Sequence, residues 1–378
     1  MNEYRKKNDR IVAGIMSGTS VDAIDVAILG VSGDPNITWE LLYYDETPWA
    51  KEEADWLRSL MTYPITAQML AYAHRLVGDR FCEALHKAMQ TANVKLDAIG
   101  MHGQTIAHVP TATEVPFIIQ PSTLQIGNAF LCCHQFDCPV VFDFRSADIA
   151  RGGQGAPLVP LADALMFGSQ PKPFAIQNLG GIGNMTYLDR NGHVLGFDTG
   201  PANMCLDRAM FRLTGLALDA YGGLANVGTS HPALLADLKQ RFRPKKPPAS
   251  YGHEMFGHHF TDSVLSQWAS RVSGADILST LSDWVAWTIR IAYDYVDEPI
   301  SKLYLCGGGV HNVCLVRDIE RHLQLTVSPV SDLGIHAESR ESAAFAVLAD
   351  ARLRDIAFDL SRVTGNTLAT KLGSIAFP

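Results

Sequence analysis

Apolar residues in this chain gather into short runs that end in small polar turns. Residues 11–16 and 21–29 flank Ser17-Gly-Thr-Ser20, with Asp22 and Asp25 interrupting the second run. This pattern predicts strand, turn, strand, and residues 39–44 complete an antiparallel meander. Leu57, Leu60, Met69, Leu70, Ala73, Leu76, Val77, Phe81, Leu85 and Met89 follow at mixed three- and four-residue spacings, which predicts helix. A short strand over 98–101 runs into His102-Gly-Gln-Thr105. A helix over 128–136 then leads to a strand over 139–142, ending at Asp143-Phe-Arg145.

After Pro171-Lys-Pro173 the opening pattern returns. Residues 174–179, the turn Gly180-Gly-Ile-Gly183 and residues 184–188 again spell strand, glycine turn, strand. A strand over 194–197 closes on Asp198-Thr-Gly200. A helix over 278–296, a strand over 302–306, the triple glycine Gly307-Gly-Gly309 and a helix over 312–323 come next, and a last helix spans about 339–351. One supersecondary unit therefore occurs twice, although identity between the halves is faint. Each half makes a mixed sheet with helices against it, and tandem halves leave a cleft that suits a ligand. The expected division is 1–168 and 169–378, the last helix being able to pack back on the first domain.

Length and composition exclude some classes. The chain has 378 residues, 47% apolar and 19% charged, with a formal net charge of −8. It is long enough for two cores and too apolar for disorder. Its acidic balance argues against nucleic acid, and the one basic knot, Arg241-Phe-Arg-Pro-Lys-Lys246, looks like a solvated loop. Seven cysteines spread over a long chain are no disulfide framework and predict a reduced, intracellular protein. The cluster Cys132, Cys133, His134 and Cys138 lacks a second zinc half-site, and a helix burying small thiols accounts for it. No leader and no run near ~20 apolar residues is visible, so the expected place is the cytoplasm, away from membranes.

The turns carry the candidate chemistry. There is no Walker-type G-x-x-x-x-G-K-[ST], no G-x-G-x-x-G and no G-x-S-x-G, and His253-Glu254 fails the zinc-protease spacing because position 257 is Gly. Met16-Ser-Gly-Thr-Ser-Val-Asp22 offers N–H groups, hydroxyls and one acid in a tight turn. It suits either a polyphosphate with hydrated Mg²⁺ at Asp22, or an ordinary hairpin. Gly180, Gly181 and Asn184 repeat the device, and Gly307, Gly308 and Gly309, with Asn312 opening the next helix, suit close approach to an adenine or ribose. Asp198, at a strand end before Thr199-Gly-Pro-Ala-Asn203, either caps the next helix or serves as general base. Arg145 either anchors an anionic or hydroxylated substrate or forms a buried salt bridge at the domain interface.

Taken in order, Gly14-Ile-Met-Ser-Gly-Thr-Ser-Val-Asp22, His102-Gly-Gln-Thr105, Leu124-Gln-Ile-Gly127, Asp143-Phe-Arg145, Gly152-Gly-Gln-Gly-Ala-Pro-Leu-Val-Pro160, Asn178-Leu-Gly-Gly-Ile-Gly-Asn184, Gly196-Phe-Asp-Thr-Gly-Pro-Ala-Asn203 and Cys306-Gly-Gly-Gly309 closely resemble the anhydro-N-acetylmuramic acid kinases. The resemblance runs from residue 11 to the C-terminus and includes Val363-Thr-Gly365 and Leu372-Gly373. It implies an α/β fold of duplicated actin-like ATPase (ribonuclease H-like) domains with an interdomain cleft. The first domain would hold the phosphate loop and part of the sugar site, and the second the catalytic Asp and the adenosine site.

The implied activity uses ATP and Mg²⁺ to open 1,6-anhydro-N-acetylmuramic acid with water and phosphorylate O6, giving N-acetylmuramic acid 6-phosphate and ADP in cell-wall recycling. Asp198 would activate the water. Gly18, Thr19, Ser20, Val21, Asp22, Ala23, Ile24 and Asp25 would line the ATP phosphates, with Asp22 in the Mg²⁺ shell through water. Arg145, Gln154 and Glu341 would contact the sugar, Glu338 being an alternative to Glu341. A homodimer is also implied, and domain closure should exclude bulk water. Two departures stand out. Ser146 and Ala147 precede Asp148 where relatives carry basic residues, and Ala249-Ser-Tyr-Gly-His-Glu254 replaces a string resembling Lys-Ser-Thr-Gly-Arg-Glu, leaving His253 or Lys246 as substitutes. The rival readings are another sugar kinase acting on a free hydroxyl and a nucleotide switch in the manner of actin or Hsp70.

Overall fold

The alternation at the start of the chain closes into a hairpin. In the computed structural model, which describes residues 2–378 except 35, 111, 115–117, 248, 250 and 252, β1 (Asp9–Ser17) pairs antiparallel with β2 (Ala23–Ser32). Strand β2 pairs antiparallel with β3 (Thr38–Pro48). On the other side of β1, β4 (Ala98–Val109) runs parallel to it, and β5 (Val140–Phe142) runs parallel to β4. Ser122–Ile126 and Ser374–Ala376 extend the sheet beside β4 and β5.

The second half repeats this arrangement. Strand β6 (Phe174–Leu179) lies between β7 (Ile182–Leu188), antiparallel, and β9 (Lys302–Cys306), parallel. Strand β8 (Val194–Pro201) is antiparallel outside β7, and β10 (Val327–Pro329) parallel outside β9. Both halves thus share the strand order third, second, first, fourth, fifth. The fold is α/β, and it is the duplicated actin-like ATPase arrangement that the resemblance implies. Among the described residues, no helix is long and apolar enough to cross a membrane.

The chain divides into two units, residues 1–169 with 334–378, and residues 170–333. This corrects the expected second domain of 169–378, because the C-terminal stretch belongs to the first unit. Helix Arg340–Leu353 packs on β1, β2 and β4, and Ser374–Ala376 pairs with β5. The helix expected over 57–89 is also two helices, Lys51–Thr62 and Ala67–Ala92. Pro64 cannot continue a helix, and Thr66 caps the second one by accepting from the Met69 N–H at 3.2 Å.

Side chains alternating along β1 explain the layers of the first unit. Ala13 and Ile15 join Val26, Ile28, Leu57, Phe81 and Leu85 in one buried cluster. Gly14 points to the opposite face, where a Cβ would overlap the Ser342 carbonyl, and a Cβ on Gly100 would overlap that of Phe345. The C-terminal helix therefore rests backbone against backbone on β1 and β4. In the second unit, helix Gly274–Ala292 buries Trp284 beside Phe242, Phe256 and Phe260.

Gly100→Ala should lift the C-terminal helix and cost about 2–3 kcal/mol in urea unfolding. Gly30→Ala, whose methyl would meet only Leu42 side-chain atoms at 3.7–3.8 Å, should stay within about 0.5 kcal/mol of the wild type. Equal effects in the two variants would refute the close-approach account.

Candidate functional site

The turn between β1 and β2 has its carbonyl groups drawn inward. Gln104 Nε2 donates to Gly18 O (3.0 Å), Arg58 Nε and Nη2 donate to Ser20 O and Val21 O (2.8 Å each), and the Trp49 N–H donates to Asp22 O (3.0 Å). This bracing holds Val21, a β-branched residue, at φ 51°, a conformation costing about 1–3 kcal/mol. Thr19, Ser20 and Asp22 are exposed, while the side chains of Val21, Ala23 and Ile24 are buried in the core. Only the backbone of those three can meet a ligand. Asp22 Oδ1 accepts from the Ser20 hydroxyl and the Ala23 N–H, both at 2.9 Å, which fixes its carboxylate at the mouth of the turn.

Asp25 sits on β2 between Met16 and Glu46, and its Oδ1 accepts from the Tyr44 hydroxyl at 2.6 Å. Partial burial, aided by the charges of Glu46, Glu341 and Asp22, lifts its carboxyl to about 6 against the pull of the Tyr44 bond. Glu341 is exposed in the first turn of the C-terminal helix, close enough to act electrostatically on both Asp25 and Arg145. The structure thus brings Asp25, Arg145 and Glu341 into one electrostatic neighbourhood. Glu338 is exposed just before that helix. Burial pulls the Arg145 guanidinium down to about 10, with Glu341 opposing, so it stays charged at neutral pH. Among the described residues, Arg145 has no salt-bridge partner. Its hydrogen bonds go to uncharged partners, Gly155 O at 2.7 Å and the His102 ring.

Gln154 rides on a loop built around Asp148. This buried carboxylate accepts from the Gly155 N–H (2.7 Å), the Thr364 hydroxyl (2.9 Å) and Asn366 Nδ2 (3.0 Å), and the Gln154 N–H donates to Thr364 O (2.9 Å). A Cβ on Gly153 would overlap the same carboxylate, so that position needs glycine. Sequence reasoning passed over Asp148 as part of a departure. Its side-chain partners, Thr364 and Asn366, lie more than 200 residues away, and the only available signal was an acid beside a run of glycines.

In the second unit, Asp198 lies inside β8 rather than at its end, because the strand continues to Pro201. It does not cap the next helix. Helix Asn203–Thr214 has Ala202 at its N-cap, and its first N–H groups are taken by Gly180 O and Gly181 O. The half-buried Asp198 carboxylate accepts instead from the Tyr251 N–H at 2.7 Å. Ladder pairing sets Asp198 beside Asn184, Asn184 beside Asn178, and Asn178 beside Cys306. These four share one face of the sheet, and Asn178 is a residue of this row that the candidate set omitted. Gly307 and Gly309 have a packing reason for being glycine, since a Cβ on either would strike Leu179, whereas Gly308 is open. Asn312 caps helix Val313–Leu323 by accepting from the Leu315 N–H at 3.0 Å. Of the substitute string 249–254, residues 250 and 252 and the side chains of His253 and Glu254 lie outside the described residues.

The family profile for anhydro-N-acetylmuramic acid kinase matches residues 10–378. The chain belongs to the anhydro-N-acetylmuramic acid kinase family. It is 34% identical to the anhydro-N-acetylmuramic acid kinase of Caldanaerobacter subterraneus subsp. tengcongensis over 98% of both chains. It is 35% identical to that of Salinibacter ruber over 99% of this chain and 98% of the relative. Among solved structures, component A of Acidaminococcus fermentans (R)-2-hydroxyglutaryl-CoA dehydratase aligns over 91% of this chain and 98% of its own, at a TM-score of 0.47 and 12% identity.

The raised Asp25 carboxyl gives this member of the family a pH signature. An acid whose folded pKa exceeds its unfolded value destabilises the fold once ionised, here above about pH 6, and the cost fades as pH falls toward 4. Asp25→Asn should therefore raise stability at pH 7.5 by about 1 kcal/mol, after allowance for solvent screening. The gain should vanish near pH 4 in paired urea titrations. A gain independent of pH would sink the assignment.

Proposed function

We infer that this chain is a sugar kinase that uses ATP to open 1,6-anhydro-N-acetylmuramic acid and phosphorylate the freed O6. The products are N-acetylmuramic acid 6-phosphate and ADP, in the recycling of cell-wall fragments. Family membership along nearly the whole chain supports the substrate. For the chemistry, the observation that carries the reading is a half-buried Asp198 carboxylate fixed in mid-strand by the Tyr251 N–H, with no helix to cap.

In the proposed step a water oxygen bonds to C1 of the sugar, the C1–O6 bond breaks, and O6 takes the γ-phosphoryl group as ADP departs. Asp198 accepts the proton that the water loses. Because bond breaking and phosphoryl capture coincide, no free alkoxide accumulates. Residues 18–25 are read as the phosphate turn and Arg145, Gln154 and Glu341 as sugar contacts. Asp198 is read as the base, and Gly180, Gly181, Asn184, Gly307, Gly308, Gly309 and Asn312 as nucleotide contacts.

Among the described residues, no cluster of three His, Cys, Asp or Glu could hold a metal alone. A single fixed carboxylate at the phosphate turn fits Mg²⁺ that is held mainly by phosphate oxygens and water, with Asp22 as its protein partner. The ion would neutralise charge on the transferring phosphoryl group. Cytoplasmic location, where ATP is supplied, and a homodimer complete the reading.

Asp198→Asn should bind a non-hydrolysable ATP analogue within a few-fold of wild type and lose about 10³-fold or more in turnover. Near-normal turnover would remove Asp198 from the mechanism. With wild type in H₂¹⁸O, promptly analysed product should carry one ¹⁸O at C1. Phosphorylated product without that label would instead mark transfer to a pre-existing hydroxyl.

A further inference from the structure

Arg145 is held by a residue that none of the assignments above uses. Its Nε and Nη2 both donate to His102 Nε2, at 3.2 and 2.8 Å, while Nη1 donates to Gly155 O. His102 Nδ1 lies 2.9 Å from Gly103 O. A carbonyl only accepts and a guanidinium only donates, so the imidazole is the neutral tautomer with its proton on Nδ1 and its lone pair on Nε2. Burial, with Arg145 as the second cause, pulls this ring down to about 3, and it remains an acceptor throughout the working pH range. Gly103, at φ 85°, turns the receiving carbonyl back toward the ring. Phe345 of the C-terminal helix packs on the imidazole at 4.5 Å between centroids and also touches Phe144, the residue before Arg145.

Of the five guanidinium N–H groups, three are committed to His102 and Gly155. Two, one on each terminal nitrogen, have no partner among the described residues. We propose that His102 is a positioning residue for the substrate, its Nε2 lone pair fixing the Arg145 guanidinium so that these two N–H groups are kept for acceptor oxygens of the sugar. The proposal rests on Arg145 as a sugar contact. Without the imidazole, two charged donors would lose their acceptor, and the guanidinium would turn to find another. The remaining donors would then be misplaced for the sugar, with no effect on nucleotide affinity.

The test compares His102→Leu, His102→Gln, Arg145→Lys and the His102→Leu/Arg145→Lys double variant by steady-state kinetics in both substrates, each checked by thermal melting. Glutamine places a neutral acceptor near the Nε2 position and is the rescue variant. His102→Leu should raise the sugar KM at least tenfold and leave the ATP KM within twofold, and His102→Gln should recover to within about threefold. The double variant should be no worse in the sugar than Arg145→Lys alone, because both changes remove one unit.

Three results would overturn the proposal alone, and a fourth would overturn it together with the Arg145 assignment. One is an unchanged sugar KM in His102→Leu with a raised one in Arg145→Lys, which would leave Arg145 as a sugar contact. Another is a double variant whose losses multiply. The third is an ionisation in the wild-type rate profile that His102→Gln abolishes, which would make His102 an acid or base. If Arg145→Lys and His102→Leu both leave the sugar KM unchanged, the Arg145 assignment and the proposal fall together.

Discussion

The close approach of helix Arg340–Leu353 to β1 and β4 is the constraint on which the first unit depends. Backbone can meet backbone only where no Cβ intervenes, and Gly14 and Gly100 supply the two openings. Neighbouring positions on that face of β1, such as Val12 and Met16, carry side chains, so the helix cannot slide along the strand without a clash. Polar bonds fix it at both ends. Arg340 pairs with the buried Asp163, and Asp350 accepts from Arg10 (2.7 Å) and Tyr4 (2.8 Å). Buried pairs of this kind return little net stability against their desolvation, and setting the register is the better account of them here. Once the register is set, Glu341 and Phe345 have no freedom of placement. One enters the charge balance of Asp25 and Arg145, and the other packs on His102.

The second unit has the same strand order and solves a different problem with it. Its candidate carboxylate, Asp198, is carried by a strand interior, where ladder pairing dictates that Asp198, Asn184, Asn178 and Cys306 line up. Orientation then comes from the segment around Tyr251, whose N–H donates to Asp198, while Ala249 O accepts the Asp198 N–H at 2.9 Å. That segment contains the string 249–254, which the resemblance reads as a departure. The departure leaves these backbone bonds possible, since an N–H and a carbonyl are available whatever the side chain. The duplicated fold is therefore a shared frame, and the chemistry differs by what each copy carries on it.

Strands, hairpin turns and the repeat were legible because they are local: alternation of period two, small residues in turns and prolines at breaks all act within a few residues. Pro64 was equally visible and carried the signal for two helices that the apolar spacing alone obscured. Contacts far apart along the chain left no such trace. Nothing near Asp148 announces Thr364 and Asn366, and no periodicity in residues 339–351 says which sheet that helix will cover. The glycines are the instructive middle case. A glycine needed for helix packing, as at Gly100, and one suited to a phosphate look alike in sequence, and Gly307 and Gly309 prove to be occupied by contact with Leu179. Asp198 misled in a smaller way, since a strand that continues through Thr199 and Gly200 leaves no helix end for it to cap.

The electrostatics of the first unit show why its site residues sit where they do. Asp25 is held near other acids and partly out of water, an arrangement that weakens the fold whenever the carboxyl is ionised. Tyr44 offsets part of this cost with one short bond, and its own hydroxyl is pushed up first by burial and then by that bond. Arg145 carries the opposite strain: it is charged and largely enclosed, and it touches carbonyl and imidazole acceptors rather than a carboxylate. Here Asp25 stands on β2 and Arg145 in the turn after β5, each braced by neutral partners, with Glu341 exposed within reach of both. On the proposed reading, the nucleotide with its cation and the polar sugar are the groups those charges are placed to meet.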